Sequence, residues 1–296
     1  MSSSTPTQLA FSGTTSILGQ ILSRPSGMVG AGLTIVHLTL AVFGGLLIPH
    51  DPLEQLSNTI LLPPSLAHFL GTDGLGRDVF SRTIVGGQSA LLVTGVATLL
   101  AVTWGAMVGV LSAYKGGTVD EVIQRLVEVI GAFPYLLALL LLAGIANFGV
   151  FALIPALAIF YGNGAVLVAR SATRAVATAD FVAAARARGE TSIRILLSEI
   201  LPNIVDVIAV DGAIRWSSML LGFSSLSFLG FGVAPPSPDW GLMISDARNV
   251  LSVAPWAILS PCVALASLIV GLNLLADASA KAIGVDRALQ ISSQEQ

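Results

Sequence analysis

Few residues in this 296-residue chain could do chemistry, and their spacing excludes most of it. Lysine occurs only at Lys115 and Lys281. Neither ends a G-x-x-x-x-G-K-[ST] loop, so the chain carries no P-loop to cradle ATP phosphates. Cys262 is the single cysteine and sits in an apolar run. Spacing gives it neither a disulfide partner nor a metal cluster with His37, His50 and His68. No H-E-x-x-H occurs to hold a protease zinc. A serine-based membrane protease needs a partnered base, and no partner can be read for His37. These residues name no catalytic group, no resident metal and no enzyme.

One ionisable pair stands apart. Asp211 and Arg215 are four residues apart in an apolar stretch, so on a helix they share a face and can pair. Charge at membrane depth is costly and by default suggests function, here the lining of a translocation path. The other reading is a mutually paired, inert couple that snorkels to the near membrane face. A helix starting near residue 205 places Asp211 only about 9 Å in, which favours snorkelling.

The elements that position these residues follow from composition. The chain is 54% hydrophobic and 10% charged, with a mean hydropathy of +0.85. A soluble domain carries about 25% charged residues, so a water-soluble reading fails. Charge-free runs at 25–50, 83–114, 129–169, 216–238 and 249–276 cover half the sequence. A helix needs about 20 apolar residues to cross the hydrocarbon, so four runs fit one span each and the run over 129–169 fits two. Its break is expected at Gly144–Gly149, where two glycines and Asn147 weaken the helix. A β-barrel would show short alternating segments instead of continuous Leu- and Ala-rich runs. The fold class is an all-α integral membrane protein with six transmembrane helices.

The spans fall near 28–48, 88–113, 126–146, 150–170, 205–229 and 255–276. The Ser- and Thr-rich start is followed by a run too long for a signal-peptide core, so the N-terminus is expected to be retained. With six spans the termini share a side, and Lys and Arg orient the chain. Arg24, Lys115, Arg125, Arg170, Arg174, Arg186, Arg188, Arg194, Lys281 and Arg287 lie on that side, against Arg77, Arg82 and Arg248 on the other. The bias puts both termini in the cytoplasm. The domain map is then a cytoplasmic tail over 1–27, a six-span domain over 28–287 with outside loops at 49–87 and 230–254, and a cytoplasmic tail over 288–296. In the second outside loop the prolines before Asp239 stop a helix, and Trp240 suits the membrane interface. Gly105 and Gly109 form a G-x-x-x-G that could bring the second span close to a neighbour.

The inside segment 171–204 is the most informative. Asp180 is a plausible N-cap, Ala183, Ala184 and Ala185 favour helix, Gly189 permits a sharp turn, and Pro202 limits the next helix. It reads as helix, break, helix, stop. A short helix outside the membrane, with small residues on one side and arginines on another, fits a partner's groove. A solvated connector whose arginines only enforce topology is the alternative from periodicity alone.

Four stretches resemble one family. Ala184-Ala185, Gly189 and then Leu201-Pro202 resemble the E-A-A-x-x-x-G-x9-I-x-L-P loop of ABC importer membrane subunits. Leu70 to Arg82 resembles the G-T-D-x-x-G-R-D-x-x-S-R segment of the dipeptide, oligopeptide and nickel permeases, specifically their C-type subunit. Leu226 to Gly232 with Pro236 to Gly241, and Asn273 to Asp277 in place of N-L-L-G-D, complete the order. The chain departs from the pattern at Ala183, where glutamate is usual, at Glu199 for isoleucine and at Ala276 for glycine. It departs again at 278–281, and at Asp211 and Arg215, where uncharged residues are expected.

The resemblance implies a type I ABC importer permease in a prokaryotic cytoplasmic (inner) membrane. It implies ATPase-coupling residues in the loop 171–204, at Phe181, Ala183, Ala184, Ala185, Arg186, Gly189, Leu201 and Pro202. It implies a family motif in the outside loop at Gly71, Thr72, Asp73, Gly76, Arg77, Asp78, Ser81 and Arg82. The implied partners are a homologous second permease subunit, two cytoplasmic ABC ATPase subunits that bind the ATP and Mg2+, an extracytoplasmic solute-binding protein and membrane lipid, with no nucleic acid. The outside loops would face the binding protein. Di- or oligopeptides are the default cargo, with nickel chelates, opines or sugars as alternatives. An ion-coupled secondary transporter, hinted at by Asp211 and Arg215, and a structural subunit without transport are the rival classes.

Overall fold

The computed structural model of the chain describes residues 17–146 and 149–284. The expected tail 288–296, Arg287, residues 1–16 of the expected tail 1–27, and Asn147-Phe148 of the expected turn lie outside those residues. The described residues are helical, apart from turns and one isolated bridge between Thr72 and Asp78.

In chain order the helices are α1 (Ile17–Leu22), α2 (Pro25–Phe43), α3 (Val79–Val85), α4 (Gln88–Lys115), α5 (Gly117–Ala132), α6 (Tyr135–Ala146), α7 (Leu153–Val176), α8 (Asp180–Ala187), α9 (Ser192–Arg194), α10 (Leu201–Phe228), α11 (Trp240–Ala247) and α12 (Trp256–Ile283). Local chemistry sets several ends. Pro25 opens α2 in the first turn, where its missing N–H costs nothing. Gly284, in the left-handed region at φ 77°, closes α12 with its N–H on the Ala280 carbonyl.

Four stretches, Pro25–Leu46, Val79–Lys115, Val150–Val176 and Trp256–Ile283, are long and apolar enough to cross a membrane. α5 and α6 are apolar and long enough only when taken together, and they are bent by 74° at their break, as in a broken span or a re-entrant loop. The expected span near 126–146 is therefore not one continuous helix but is divided between α5 and α6. Pro134 lies at the bend, where its ring and missing N–H cannot continue the helix. α10, at the expected fifth span, has 28 residues, but its serines, Asp206, Asp211 and Arg215 keep it below that apolarity.

The core forms where α4, α7, α10 and α12 meet, around the fully buried Leu157, Met219, Leu220, Phe223, Leu268 and Leu272. Val42, Leu99, Leu141 and Val263 are exposed on the outer faces, an apolar surface suited to lipid tails. The G-x-x-x-G packs as its spacing suggests. A Cβ on Gly105 would lie 2.7 Å from the Gly162 carbonyl oxygen, and one on Gly109 2.4 Å from that of Val166. Only glycine lets α4 approach α7 so closely.

Candidate functional site

Three polar regions interrupt this apolar body: the segment around α8, ion pairs between helices, and the cap formed by the first and last loops.

α8 follows α7 after a short turn. Its N-cap is Ala179, with no side-chain cap, so Asp180 is corrected from cap to first-turn residue, where its charge still favours the helix N-terminus. Val182 and Ala185 are fully buried against Ala106, Val110, Ala169, Ile195, Ile200 and Ile204. Ala185 is thus an anchor on the body rather than a contact residue. Phe181, Ala183, Ala184 and Ala187 are exposed on the opposite side. Arg186 extends over the Tyr114 ring, 5.1 Å from its centroid, which ties α8 to the end of α4.

Gly189 has φ 75°, and a Cβ built there would meet nothing within 4 Å. Backbone conformation, not space within this chain, requires glycine. Thr191 then caps the next helix through Arg194 N–H. Arg188 sits 2.8 Å from Glu190 and 3.8 Å from Glu199, so the residue in place of the family's isoleucine pairs across the turn.

The expected stop at Pro202 does not occur. α9 runs through a π-helical turn at Ile195–Ile200 directly into α10, with Pro202 in its first turn. The wider turn pairs Leu201 N–H with the Leu196 carbonyl, so the proline's missing N–H is absorbed rather than ending the helix. Leu201 is half-buried and Pro202 exposed.

Above α8 lies a network that spacing did not reveal. Asp120, at the start of α5, accepts from Arg170 Nε and Nη2 at 2.6 Å each, from Arg174 Nη2 at 2.7 Å and from Ser112 Oγ at 2.5 Å. In the sequence the two arginines count only toward the charge bias that orients the chain. Their i, i+4 spacing on one face of α7 was the available signal.

Asp211 and Arg215 do pair. Arg215 Nη2 donates to Asp211 Oδ1 at 2.9 Å, Nε donates to Oδ2, and Nη1 donates to the Tyr161 carbonyl at 2.9 Å. The guanidinium therefore clamps α10 to α7. His37, expected to lack a partner, has Nε2 2.8 Å from Ser267 Oγ. Ser267 donates its only hydrogen to the Ala264 carbonyl, so it accepts from His37 and is no activated nucleophile.

The motif at 70–82 is mostly interior. Thr72, Asp73, Arg77, Asp78, Ser81 and Arg82 are all buried, and Gly71 and Gly76 take φ 67° and 75°. Asp73 accepts from Arg77 Nε at 2.7 Å and from the Leu75 and Arg77 N–H groups. Asp78 caps α3 through Ser81 N–H at 2.8 Å and Ser81 Oγ at 2.7 Å. Arg82 donates to the carbonyls of Pro52 and Pro236, joining both expected outside loops. These residues hold the cap together instead of offering a contact surface.

Trp240 is corrected from interface anchor to core residue: it is 2% exposed and donates to the Thr83 carbonyl at 2.8 Å. Beside it Asp239 caps α11 through Leu242 N–H, and burial raises its carboxyl to about 6.

His50 and His68 also meet here. His68 Nδ1 lies 2.9 Å, and His50 Nδ1 3.9 Å, from Asp78 Oδ1. Neither histidine shares a motif with Asp78, so spacing alone could not bring them together.

Long apolar helices and ion pairs between them define a multi-pass membrane protein. The sequence profile described as "Binding-protein-dependent transport system inner membrane component" matches residues 101–285. The chain belongs to that family and is an ABC transporter permease. It is 32% identical over 251 residues to the dipeptide transport system permease protein DppC of Bacillus subtilis, covering 84% of this chain and 78% of that protein. It is 33% identical over 255 residues to the glutathione transport system permease protein GsiD of Escherichia coli O157:H7, covering 84% and 83%. The di/tripeptide permease DppC of Pseudomonas aeruginosa is 31% identical over 265 residues, covering 87% and 88%.

Proposed function

We propose that this chain is the permease subunit of an ATP-driven, binding-protein-dependent importer of short peptides, in a prokaryotic inner membrane. Six spans, with α10 as the fifth, put both termini in the cytoplasm; the Lys and Arg bias supports this orientation. A homologous second permease completes the pathway, two cytoplasmic ATPases bind the ATP and Mg2+, and an outside binding protein delivers cargo. The relatives named for dipeptides, di/tripeptides and glutathione support a short-peptide cargo.

The observation that carries this reading is α8. It is anchored from within by Val182 and Ala185 while Ala183, Ala184 and Ala187 face outward, the shape a groove on another protein accepts. With no glutamate at 183, docking rests on shape. As the ATPases close on ATP, they carry α8. Val182 and Ala185 pass the movement to α4, α7 and α10, and the spans rock between inward-open and outward-open states. ATP can drive transport only because the two states hold their ligands differently.

Asp211 and Arg215 serve here as an interhelical clamp rather than an ion-coupling site, because every carboxylate oxygen and the Tyr161 carbonyl already engage the guanidinium. Co-purification of the chain with its ATPases, and peptide uptake that follows ATP rather than an ion gradient, tests the proposal. Uptake driven by a gradient alone would replace it with a secondary transporter.

A further inference from the structure

Three side chains from separate parts of the cap converge on one point. His50 follows the first apolar helix, His68 precedes the motif, and Asp78 opens α3. One ligand atom from each lies within 4.8 Å of the others. Asp78 Oδ1 is 2.9 Å from His68 Nδ1 and 3.9 Å from His50 Nδ1. Ligands 2.0–2.1 Å from a tetrahedral zinc stand about 3.3 Å apart, between those two values.

A hydrogen-bonded histidine beside a helix-capping aspartate explains His68 and Asp78 but not His50. His50 Nδ1 is buried, is aimed at the same carboxylate and has no hydrogen-bond partner. A buried unpaired ring nitrogen is costly, and a cation is the partner that would satisfy it. The surroundings are already organised. Ser81 donates to the other oxygen of Asp78 through both N–H and Oγ, and its Oγ accepts the backbone N–H of His50 at 3.3 Å. Ser81 thus orients the Asp78 carboxylate, as hydrogen-bond partners do behind metal-bound carboxylates, and ties the backbone of His50 to the same point.

We infer that His50, His68 and Asp78 form a site for a divalent transition cation of the zinc class. Two imidazole nitrogens and one carboxylate oxygen suit such an ion, whereas Mg2+ and Ca2+ favour oxygen-only sets. The His50 side chain is 37% exposed, which leaves a fourth position open to water. Binding takes the place of the hydrogen between His68 Nδ1 and Asp78 Oδ1; the neutral ring then carries its hydrogen on Nε2, so the proton lost from Nδ1 is matched by one taken up at Nε2. The ion closes the chain between residues 50 and 78 and stiffens the cap that Arg82 holds from within.

The test uses the full-length chain in detergent, purified without a polyhistidine tag and stripped with a chelator, then titrated with Zn2+. One equivalent per chain is expected, with a rise in thermal midpoint. His50→Gln keeps the capping of α3 and should unfold at the wild-type midpoint in chelator, yet bind Zn2+ at least tenfold more weakly and lose the Zn2+-dependent rise. His68→Gln should weaken binding similarly; if it fails to fold, His50→Gln carries the test alone. Substoichiometric Zn2+ on the wild type, or equal affinity in wild type and His50→Gln, would overturn the site.

Discussion

Arg170 grips Asp120 through two guanidinium nitrogens at 2.6 Å each, fastening the end of α7 to the start of α5 just before the chain enters α8. Arg174 adds a third bond but its side chain is 54% exposed, whereas Arg170's is 21%. Removing a partner that water cannot replace costs more than removing an exposed one. Arg170→Ala should therefore lower thermal stability by about 1–3 kcal/mol, and Arg174→Ala by under about 1 kcal/mol. Unfolding of the detergent-solubilised chain measures both. Equal losses would show that the bidentate bond has no special weight.

Asp211 and Arg215 give a different pattern. Either single change to Leu strands a charge between α7 and α10, while changing both removes charge and demand together. The double variant should accumulate, assemble and transport better than either single one. A double variant that assembles normally and transports nothing would instead place the pair on the translocation path.

Asp239 sets a pH dependence. Its folded carboxyl, raised to about 6 from 3.8, means that ionisation is disfavoured in the native state. Its contribution is fully present below the unfolded value and is lost as pH rises through about 6. Asp239→Asn keeps the acceptor for Leu242 N–H without the charge. It should unfold like the wild type near pH 4 and be more stable at pH 7.5, by up to about 3 kcal/mol for a shift of about two units. Parallel stability curves for the two proteins would remove Asp239 as the titrating group.

Orientation can be read with single cysteines in a Cys262→Ser background. Ser237 is exposed and Glu190 is partly exposed in the turn after α8, so labelling there leaves the core intact. A membrane-impermeant thiol reagent should modify Ser237→Cys from outside and leave Glu190→Cys untouched until the membrane is opened. Labelling of both from one side would break the six-span map.

The local features of this fold were legible because they depend on neighbours in sequence. Alanines and Gly189 marked α8 and its turn, and Gly105 with Gly109 marked the approach of α4 to α7. Pro134 was equally visible, but the apolar run around it hid a break that the proline required. The rest depends on side chains meeting across distance. Asp120 and Arg170 are fifty residues apart, Trp240 reaches Thr83, and His50 reaches Asp78. No periodicity encodes such meetings. Pro202 misled for the opposite reason: a π turn absorbed a residue that ordinarily stops a helix.

The most direct measurement compares three variants of α8 for recovery of ATPase with the affinity-purified permease. Ala184→Trp places bulk on the exposed face, Gly189→Val strains a backbone held at φ 75°, and Ala185→Trp overfills the buried face. If α8 is the coupling helix, Ala184→Trp and Gly189→Val should insert normally yet recover at least about fivefold less ATPase, as the loss of about 1–3 kcal/mol at a contact implies. Peptide-stimulated ATP hydrolysis should fall with it, and Ala185→Trp should lower the permease's own stability. Near-normal ATPase recovery and transport with both Ala184→Trp and Gly189→Val would contradict the assignment and reduce 171–204 to a connector.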